Sequence, residues 1–172
     1  MKNKKTTIKK TSAAVFLSMV IAIGSPMALK HEGMKLKPYY DSVGVKTWCV
    51  GETEVGYQEQ FTEQECKALF TMRYGFYAKA VYSMYNDTAQ EIVTPEFSAA
   101  MTDMAYNVGI SAVRKSSMIR EINAGNGVKA CDAIKKYKYA GGQDCSKPNN
   151  RTCRGVWSRR LEMHELCLKG LK

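Results

Sequence analysis

The sequence predicts a mostly α-helical α+β fold, in which a small sheet lies beside a helical lobe and a cleft separates the two. Glycines interrupt a stretch rich in Val, Thr and Cys between Tyr39 and Gly56, a pattern typical of short strands. Thr62 and Thr94 each begin a strong helix-start signal further along the chain. With 172 residues, the chain can bury one hydrophobic core but is short for two domains of equal size.

The first elements each have a local signal. We expect residues 36–40 to lead out of a helix, because Pro38 disfavours helical geometry in the residue before it. The short strands follow, with Gly44 and Gly51 at their turns. Thr62 and Glu65 then form a capping box, which predicts a long helix that extends towards residue 81.

The later elements are all predicted to be helical. Thr94 precedes Pro95, which suits the first position of a helix, and Gly109 is expected to end that helix. The methionines on its apolar face are interpreted as core residues rather than as a binding surface. Further helices are expected at Ser111–Asn123, Val128–Tyr137 and Gly155–Leu168, separated by glycines and by the polar loop Gly141–Arg154.

The formal net charge of +10 is concentrated at the N-terminus. Residues 1–30 contain six lysines and no acid, which leaves 20 basic and 16 acidic residues in the rest of the chain. The remaining excess suits an anionic partner such as a cell wall, although ordinary solubility explains it equally well. No motif indicates a nucleic-acid partner, and the only two histidines, His31 and His164, are too far apart in sequence to suggest a metal site.

Glu32, Asp41 and Thr47 are the candidate catalytic residues. Hydrolysis of a glycosidic bond needs one carboxylic acid to protonate the leaving oxygen and a second carboxylate to activate water or attack the sugar. The spacing predicts Glu32 at a helix end and Asp41 at the start of a strand, facing each other across the cleft. The alternative is that both acids are ordinary solvated side chains.

The run from His31 to Gly51 resembles the active-site segment of the phage lysozymes, glycoside hydrolase family 24. That segment has a Glu-Gly pair, an Asp nine positions after the Glu and a Thr six positions after the Asp, and Glu32, Asp41 and Thr47 match all three positions. Two further blocks support the resemblance, which extends from residue 31 to the C-terminus: Ala105-Tyr106-Asn107-Val108-Gly109, and Tyr139–Gly142 with Trp157–Glu162.

This resemblance implies a lysozyme-like fold with an antiparallel sheet, and a monomeric enzyme without a cofactor or metal. The implied substrate is peptidoglycan, cut between N-acetylmuramic acid and N-acetylglucosamine with inversion. Glu32 is then the general acid and has to carry a proton near neutral pH; Asp41 acts on the opposite face of the sugar, and the Thr47 hydroxyl holds the attacking water. The sequence departs from the family at Trp48–Glu52, so Trp48 either stacks on substrate or, as we favour, packs in the core.

The N-terminus resembles an export signal. Five lysines precede an uncharged run from Thr11 to Leu29, which divides the chain into a membrane-directed segment, 1–30, and a catalytic domain, 31–172. Some similar phage endolysins carry a signal-anchor-release segment, which inserts into the membrane and later leaves it uncleaved. This run is only marginally apolar, so we favour release, then signal cleavage, then a permanent anchor. The lysines predict the catalytic domain outside the inner membrane of a Gram-negative host, in the periplasm.

Glu32 follows Leu29 by only three residues. The general acid is therefore expected at the bilayer surface while the segment is embedded, where headgroups block the cleft. The hypothesis is that release from the membrane activates the enzyme.

The six cysteines of an exported chain predict disulfides. Cys145 and Cys153 bracket one polar loop and are expected to pair, and Cys131 and Cys167 lie on two late helices that should pack together. Cys49 and Cys66 remain; they either pair, tying the sheet to the first long helix, or stay free and buried. Residues 1–30 contain no cysteine, so activation by disulfide exchange in that segment is excluded.

Two other functions remain open from the sequence. A lytic transglycosylase would need Glu32 but not Asp41. A membrane-tethered protein that binds cell wall without catalysis would need neither.

Overall fold

The computed structural model describes residues 12–41 and 44–171. The expected basic stretch at residues 1–11 lies outside the described residues, as do Ser42 and Val43. Four strands, eight α-helices and one 3₁₀ turn occur in the described ranges: α1 Ala13–His31, β1 Lys35–Tyr40, β2 Lys46–Cys49, α2 Glu63–Tyr82, α3 Asp87–Ile92, α4 Pro95–Val108, α5 Ile110–Arg114, α6 Ser117–Asn123, α7 Gly127–Asp132, the 3₁₀ turn Ala133–Lys136, β3 Tyr139–Ala140, β4 Gln143–Asp144 and α8 Arg154–Lys169.

Helix α4 lies at the centre of the helical lobe. Its residues 97–105 are all buried, because α1, α2 and α8 pack against it. Thr94 caps its first turn and Pro95 occupies the first helical position, while Gly109, with φ of 92°, ends it. The capping box of Thr62 and Glu65 likewise begins α2. The predicted mostly helical fold and these two helix starts are confirmed.

The sheet lobe is small. Strands β1 and β2 pair antiparallel, with Tyr39 opposite Thr47 and Tyr40 opposite Lys46. The expectation that residues 36–40 lead out of a helix is wrong, because these residues form β1. Both strands of a two-stranded sheet have a free edge, so Pro38 can occupy β1 without breaking a central ladder, and the register is irregular between Lys35 and Tyr39.

Other boundaries also differ from the sequence expectation. The helix expected at Ser111–Asn123 is divided into α5 and α6, because the Ser116 hydroxyl accepts a hydrogen bond from Ile119 N and begins a new helix. The helix expected at Val128–Tyr137 ends at Asp132 and continues as a 3₁₀ turn. Helix α3 and the β3–β4 hairpin were not expected.

Helix α1 contains residues 13–29 of the apolar run and continues without interruption to His31. It is long and apolar enough to cross a membrane, a criterion that signal sequences and soluble core helices also meet. Its buried residues are mostly small: Val20, Gly24, Ser25 and Ala28. A Cβ at Gly24 would lie 2.1 Å from Tyr74 Oη, so this glycine permits close packing of α1 on α2. The boundary expected after residue 30 lies within the last turn of α1.

Candidate active site

Glu32 is the residue at which α1 ends. Its backbone is extended, with φ of −104° and ψ of 145°, and its N–H still donates to Leu29 O at 3.2 Å. The side chain is 28% exposed, so it reaches both the protein interior and solvent. Glu32 therefore lies at a helix end, as the sequence predicts.

Arg159, on α8, holds the Glu32 carboxylate. Its Nη1 donates to Glu32 Oε1 at 2.7 Å. On its other side, Nε and Nη2 donate to the two oxygens of Asp103 at 3.1 and 2.7 Å. Asp103 lies on α4 and is completely buried, so one guanidinium joins carboxylates from two other helices.

A second contact secures the end of α1 to α8. Glu162 lies three residues after Arg159, on the same side of the helix. Its carboxylate accepts from Lys30 Nζ at 3.1 Å, and His31 Nε2 lies 3.0 Å from its other oxygen. The last turn of α1 is thus fixed at two neighbouring points, directly before Glu32.

Burial and the neighbouring charges shift the pKa of the Arg159 guanidinium in opposite directions. Burial lowers the pKa of its guanidinium, whereas the hydrogen bonds and negative charges of Asp103, and then of Glu32, raise it, and the net effect is a raised pKa. Tyr106, on α4, is a further neighbour of Glu32. Burial raises the pKa of its phenol, and the Glu32 charge raises it further. Arg159 therefore stays charged and Tyr106 neutral across the physiological range.

Asp41 and Thr47 meet at one end of the β1–β2 pair. Asp41 directly follows β1, rather than starting a strand as expected, and Thr47 is a buried residue of β2. Both contact the backbone of Val45: its carbonyl accepts from Asp41 N and from Thr47 Oγ1, each at 3.0 Å. Asp41 Oδ1 accepts from Val45 N at 2.9 Å. Because the Thr47 proton is donated to this carbonyl, its oxygen lone pairs remain able to accept a hydrogen bond from water.

Two links hold the sheet lobe on the helical lobe close to these residues. A disulfide joins Cys49, at the end of β2, to Cys66 on α2. Tyr106 Oη donates to Val50 O at 3.2 Å. Trp48 is 4% exposed, donates to Val55 O and packs edge-on against Tyr57, so its environment is that of a packed side chain.

The other cysteines also form disulfides. Cys131 pairs with Cys167, between α7 and α8, and Cys145 pairs with Cys153 across the polar loop. These two pairs are the ones expected from the sequence, and of the two alternatives left open for Cys49 and Cys66 the structure has the paired one. In the described residues, no group of three or more His, Cys, Asp or Glu side chains is arranged to hold a metal ion.

Asp103 and Arg159 had no predicted role in the sequence. One signal was available for Asp103, since an acid among the apolar residues of a buried helix needs a cationic partner. No local pattern identifies that partner, because Arg159 lies 56 residues from Asp103 and 127 residues from Glu32.

Known proteins resemble this chain along most of its length. The model of the phage lysozyme family matches residues 29–162. A "SAR-endolysin" of Bacteriophage PS119 is 30% identical over 162 residues, with 93% of this chain and 90% of the relative covered. A "SAR-endolysin" of Enterobacteria phage P21 is 30% identical over 172 residues, covering 95% and 97%.

The fold has similar neighbours. A crystal structure of a mutant P22 lysozyme superposes with a TM-score of 0.68 at 24% identity and covers 94% of this chain and 99% of its own. The family model spans more than half of the chain, and the fold and the predicted enzyme class agree with it. The chain therefore belongs to the phage lysozyme family and is a lysozyme, an enzyme of the endolysin type.

Proposed function

We propose that this endolysin hydrolyses the β-1,4 bond between N-acetylmuramic acid and N-acetylglucosamine in peptidoglycan and lyses the host cell at the end of a phage cycle. The observation that carries this proposal is the arrangement of three polar side chains on two lobes. Glu32 is held at the end of α1 by Arg159, and Asp41 and Thr47 are joined through Val45 at the end of the small sheet.

Each of the three residues has a distinct role in the proposed reaction. Glu32 donates a proton to the glycosidic oxygen, and its partly exposed position gives it access to substrate. Asp41 acts on the opposite face of the sugar, where its negative charge stabilises the oxocarbenium-like transition state and orients water. Thr47 accepts a hydrogen bond from that water. Inversion follows from this scheme and is tested by identifying the first-formed anomer of the reducing end by NMR.

The experiment that tests the enzyme roles uses the full chain with its disulfides formed. Initial rates of reducing-sugar release from purified peptidoglycan are compared for wild type, Glu32→Gln and Asp41→Asn. Glu165→Gln and Asp87→Asn are matched controls, because both acids are exposed and lie outside the site. We expect both site variants to lose nearly all activity and both controls to keep it.

Other outcomes distinguish the remaining functions. Release of soluble peptidoglycan fragments without new reducing ends, retained in Asp41→Asn but lost in Glu32→Gln, would support a lytic transglycosylase, because such an enzyme closes a 1,6-anhydro ring instead of adding water. Binding to cell wall by wild type with neither reducing-sugar release nor soluble fragments would support a tethered binding protein. Full activity of Glu32→Gln would contradict all the roles proposed here for the two carboxylates.

The proposal includes an N-terminal segment that first tethers the enzyme to the inner membrane and then releases it, uncleaved, into the periplasm. Support comes from the two properties of α1, which is apolar enough to cross a bilayer and buries Val20, Gly24 and Ala28 against the helical lobe. Cleavage near residue 24 would remove part of this buried face. Membrane insertion would likewise keep α1 out of the core, so release would complete the fold.

The release model is tested by fractionating host cells that express the full chain. We expect the soluble, active protein to begin before residue 13, as determined by N-terminal sequencing, and the membrane fraction to have little activity per molecule. A soluble active form that begins near residue 25 would show cleavage instead. A membrane-bound form as active as the soluble one would overturn activation by release.

A further inference from the structure

Asp103 is a buried carboxylate that has no role in the reaction proposed above. It lies on α4 between Thr102 and Met104, all three completely buried. Burying a carboxylate costs free energy unless it is paired and hydrogen-bonded, and Arg159 supplies a two-pronged contact. Both oxygens of Asp103 therefore face the guanidinium that also holds Glu32.

Arg159 by itself would oppose the role of Glu32. A cation in contact with a carboxyl group favours its charged form, whereas a general acid has to hold a proton that it can donate. Arg159 lies 2.7 Å from Glu32 Oε1 and is only 7% exposed, so water screens its charge poorly. A second negative charge next to Arg159 is what reduces this effect.

We propose that Asp103 is a positioning residue of the reaction, which neutralises Arg159 so that Glu32 meets a fixed hydrogen-bond donor without facing a net positive charge. This inference rests on the proposed role of Glu32 as the general acid. Asp103 does not contact Glu32 in this arrangement; it acts through Arg159, whose orientation it fixes with two of that side chain's three hydrogen bonds.

The other charged and titratable groups around this site are either balanced or neutral. Lys30 and His31, on the same helix as Glu32, are both turned towards Glu162 on α8. Tyr106 on α4 is held neutral by burial, which raises the pKa of its phenol. Tyr74 on α2 is also neutral, because burial and then the Asp103 charge raise its pKa.

Arg160, the residue after Arg159, is turned away from Glu32. It donates to Tyr137 O and to Asn107 Oδ1. Burial, and then the positive charge of Arg159, lower the pKa of its guanidinium to about 10. It therefore stays charged at neutral pH. The charges next to Glu32 that the variants change are those of Arg159 and Asp103.

The test is a charge series measured as complete pH–activity profiles at saturating peptidoglycan and at a fixed, high ionic strength. The proteins are wild type, Asp103→Asn, Arg159→Gln and the double variant, each as the full chain. Asp103→Asn should move the alkaline limb of kcat to lower pH by about one unit, the lower end of the effect of one nearby charge. Arg159→Gln should move the limb to higher pH, and the double variant should return it close to wild type.

The size of the rate change follows from this shift. At neutral pH, kcat of Asp103→Asn should fall about tenfold, since each pH unit on a limb is a factor of ten, while KM stays within about twofold. One pH unit below neutral, kcat of Asp103→Asn should recover to near the value that wild type has at neutral pH. A merely structural role of Asp103 would lower activity at every pH and would produce no such recovery.

Thr102→Val is the matched control for loss of a buried polar group. Thr102 is the neighbour of Asp103 on α4, is completely buried and donates to Ser98 O at 2.7 Å. Its substitution disturbs the same part of the core without changing the charge at Arg159. The alkaline limb of this variant should not move, and a displacement equal to that of Asp103→Asn would overturn the proposal.

The remaining outcomes are decisive as well. Unmoved limbs in both single variants, or movement of both in the same direction, would overturn the proposal. If the single variants do not fold, the double variant still tests the proposal, because it leaves no unpaired buried charge: a shift of its limb by about one unit from wild type would overturn it. Glu32→Gln distinguishes a failure of this inference from a failure of the proposed function, since full activity of that variant would refute the general-acid role itself.

Discussion

Two arginines in this enzyme each join a buried carboxylate to a more exposed one. Arg159 joins Asp103 to Glu32 at the candidate active site. Arg73, on α2, donates from Nε and Nη2 to Glu52 at 3.1 and 2.7 Å, and Nη2 also contacts Glu54 at 3.0 Å. The two sites therefore have the same set of charges and almost the same hydrogen-bond geometry.

The surroundings of the carboxylates differ. Glu52 also accepts hydrogen bonds from the backbone N–H groups of residues 53, 54 and 55, which satisfy it within its own loop, and Glu54 is 69% exposed. At the other site, Asp103 is satisfied by Arg159, and the outer carboxylate, Glu32, is 28% exposed at a helix end, against 69% for Glu54. A similar ion pair thus closes a loop in one lobe and holds the proposed proton donor in the other.

The largest expected contrast is between the activities of Glu32→Gln and Glu52→Gln. Glu32→Gln should lower kcat about 100- to 10,000-fold, the range of general acid–base contributions. Glu52→Gln should keep activity within about threefold per folded molecule, because Glu52 lies in the sheet lobe and is bonded to Arg73 and its own backbone. Reducing-sugar release, normalised to the folded fraction from circular dichroism, measures both. Equal losses would remove the functional distinction between the two sites.

The next contrast concerns stability. Glu52→Gln should lower the free energy of unfolding by about 2 kcal/mol, less than the roughly 3–5 kcal/mol of a fully buried pair, because Arg73 is 31% exposed and can be hydrated. Urea unfolding at pH 7, with the disulfides intact, measures this difference. Glu63→Gln, an exposed partner of Lys67 on the same helix as Arg73, is the control and should change stability by less than about 0.5 kcal/mol.

A smaller, pH-dependent effect follows from the charge of Glu52. Burial raises the pKa of this carboxyl group, but Arg73 and the three backbone N–H groups outweigh burial, so the net pKa lies below its ordinary value of 4.5. A lowered folded pKa stabilises the protein above the unfolded pKa, and this stabilisation is lost as the pH falls through the folded value. The stability difference between wild type and Glu52→Gln should therefore be constant from pH 7 to about 5 and shrink below about 4.5. A difference that grows on acidification would contradict this assignment.

The sequence predicted those helix starts that a few adjacent residues determine. The capping box at Thr62 and the Thr94–Pro95 start each need only a few adjacent residues, and the structure places both helices there. The Ser116 break was missed because a serine is compatible with either a helix interior or a cap. Pro38 was misinterpreted because only the tertiary structure shows that it lies in a strand with a free edge.

The candidate site likewise has a part that local sequence patterns predict and a part that they do not. The spacing of Glu32, Asp41 and Thr47 is local and could be identified in the sequence, and their catalytic roles remain predictions. The ion pairs of Asp103 with Arg159 and of Glu52 with Arg73 span 56 and 21 residues, and depend on how α4, α8 and the sheet loop pack. Burial is what makes these charges matter, and the packing of distant elements that brings each buried acid to its arginine leaves no local pattern in the sequence.

The smallest expected effect is that of Glu54→Gln. Glu54 is the outer carboxylate of the Arg73 site and corresponds in position to Glu32 at the Arg159 site. It contacts the same arginine as Glu52, but its exposure leaves it largely screened by water. We expect a change in unfolding free energy within about 0.5 kcal/mol and unchanged kcat, measured by urea unfolding and by reducing-sugar release. A loss of stability comparable to that of Glu52→Gln would mean that Arg73 needs both carboxylates. The difference between the two sites would then depend on the position of the outer carboxylate rather than on its solvation.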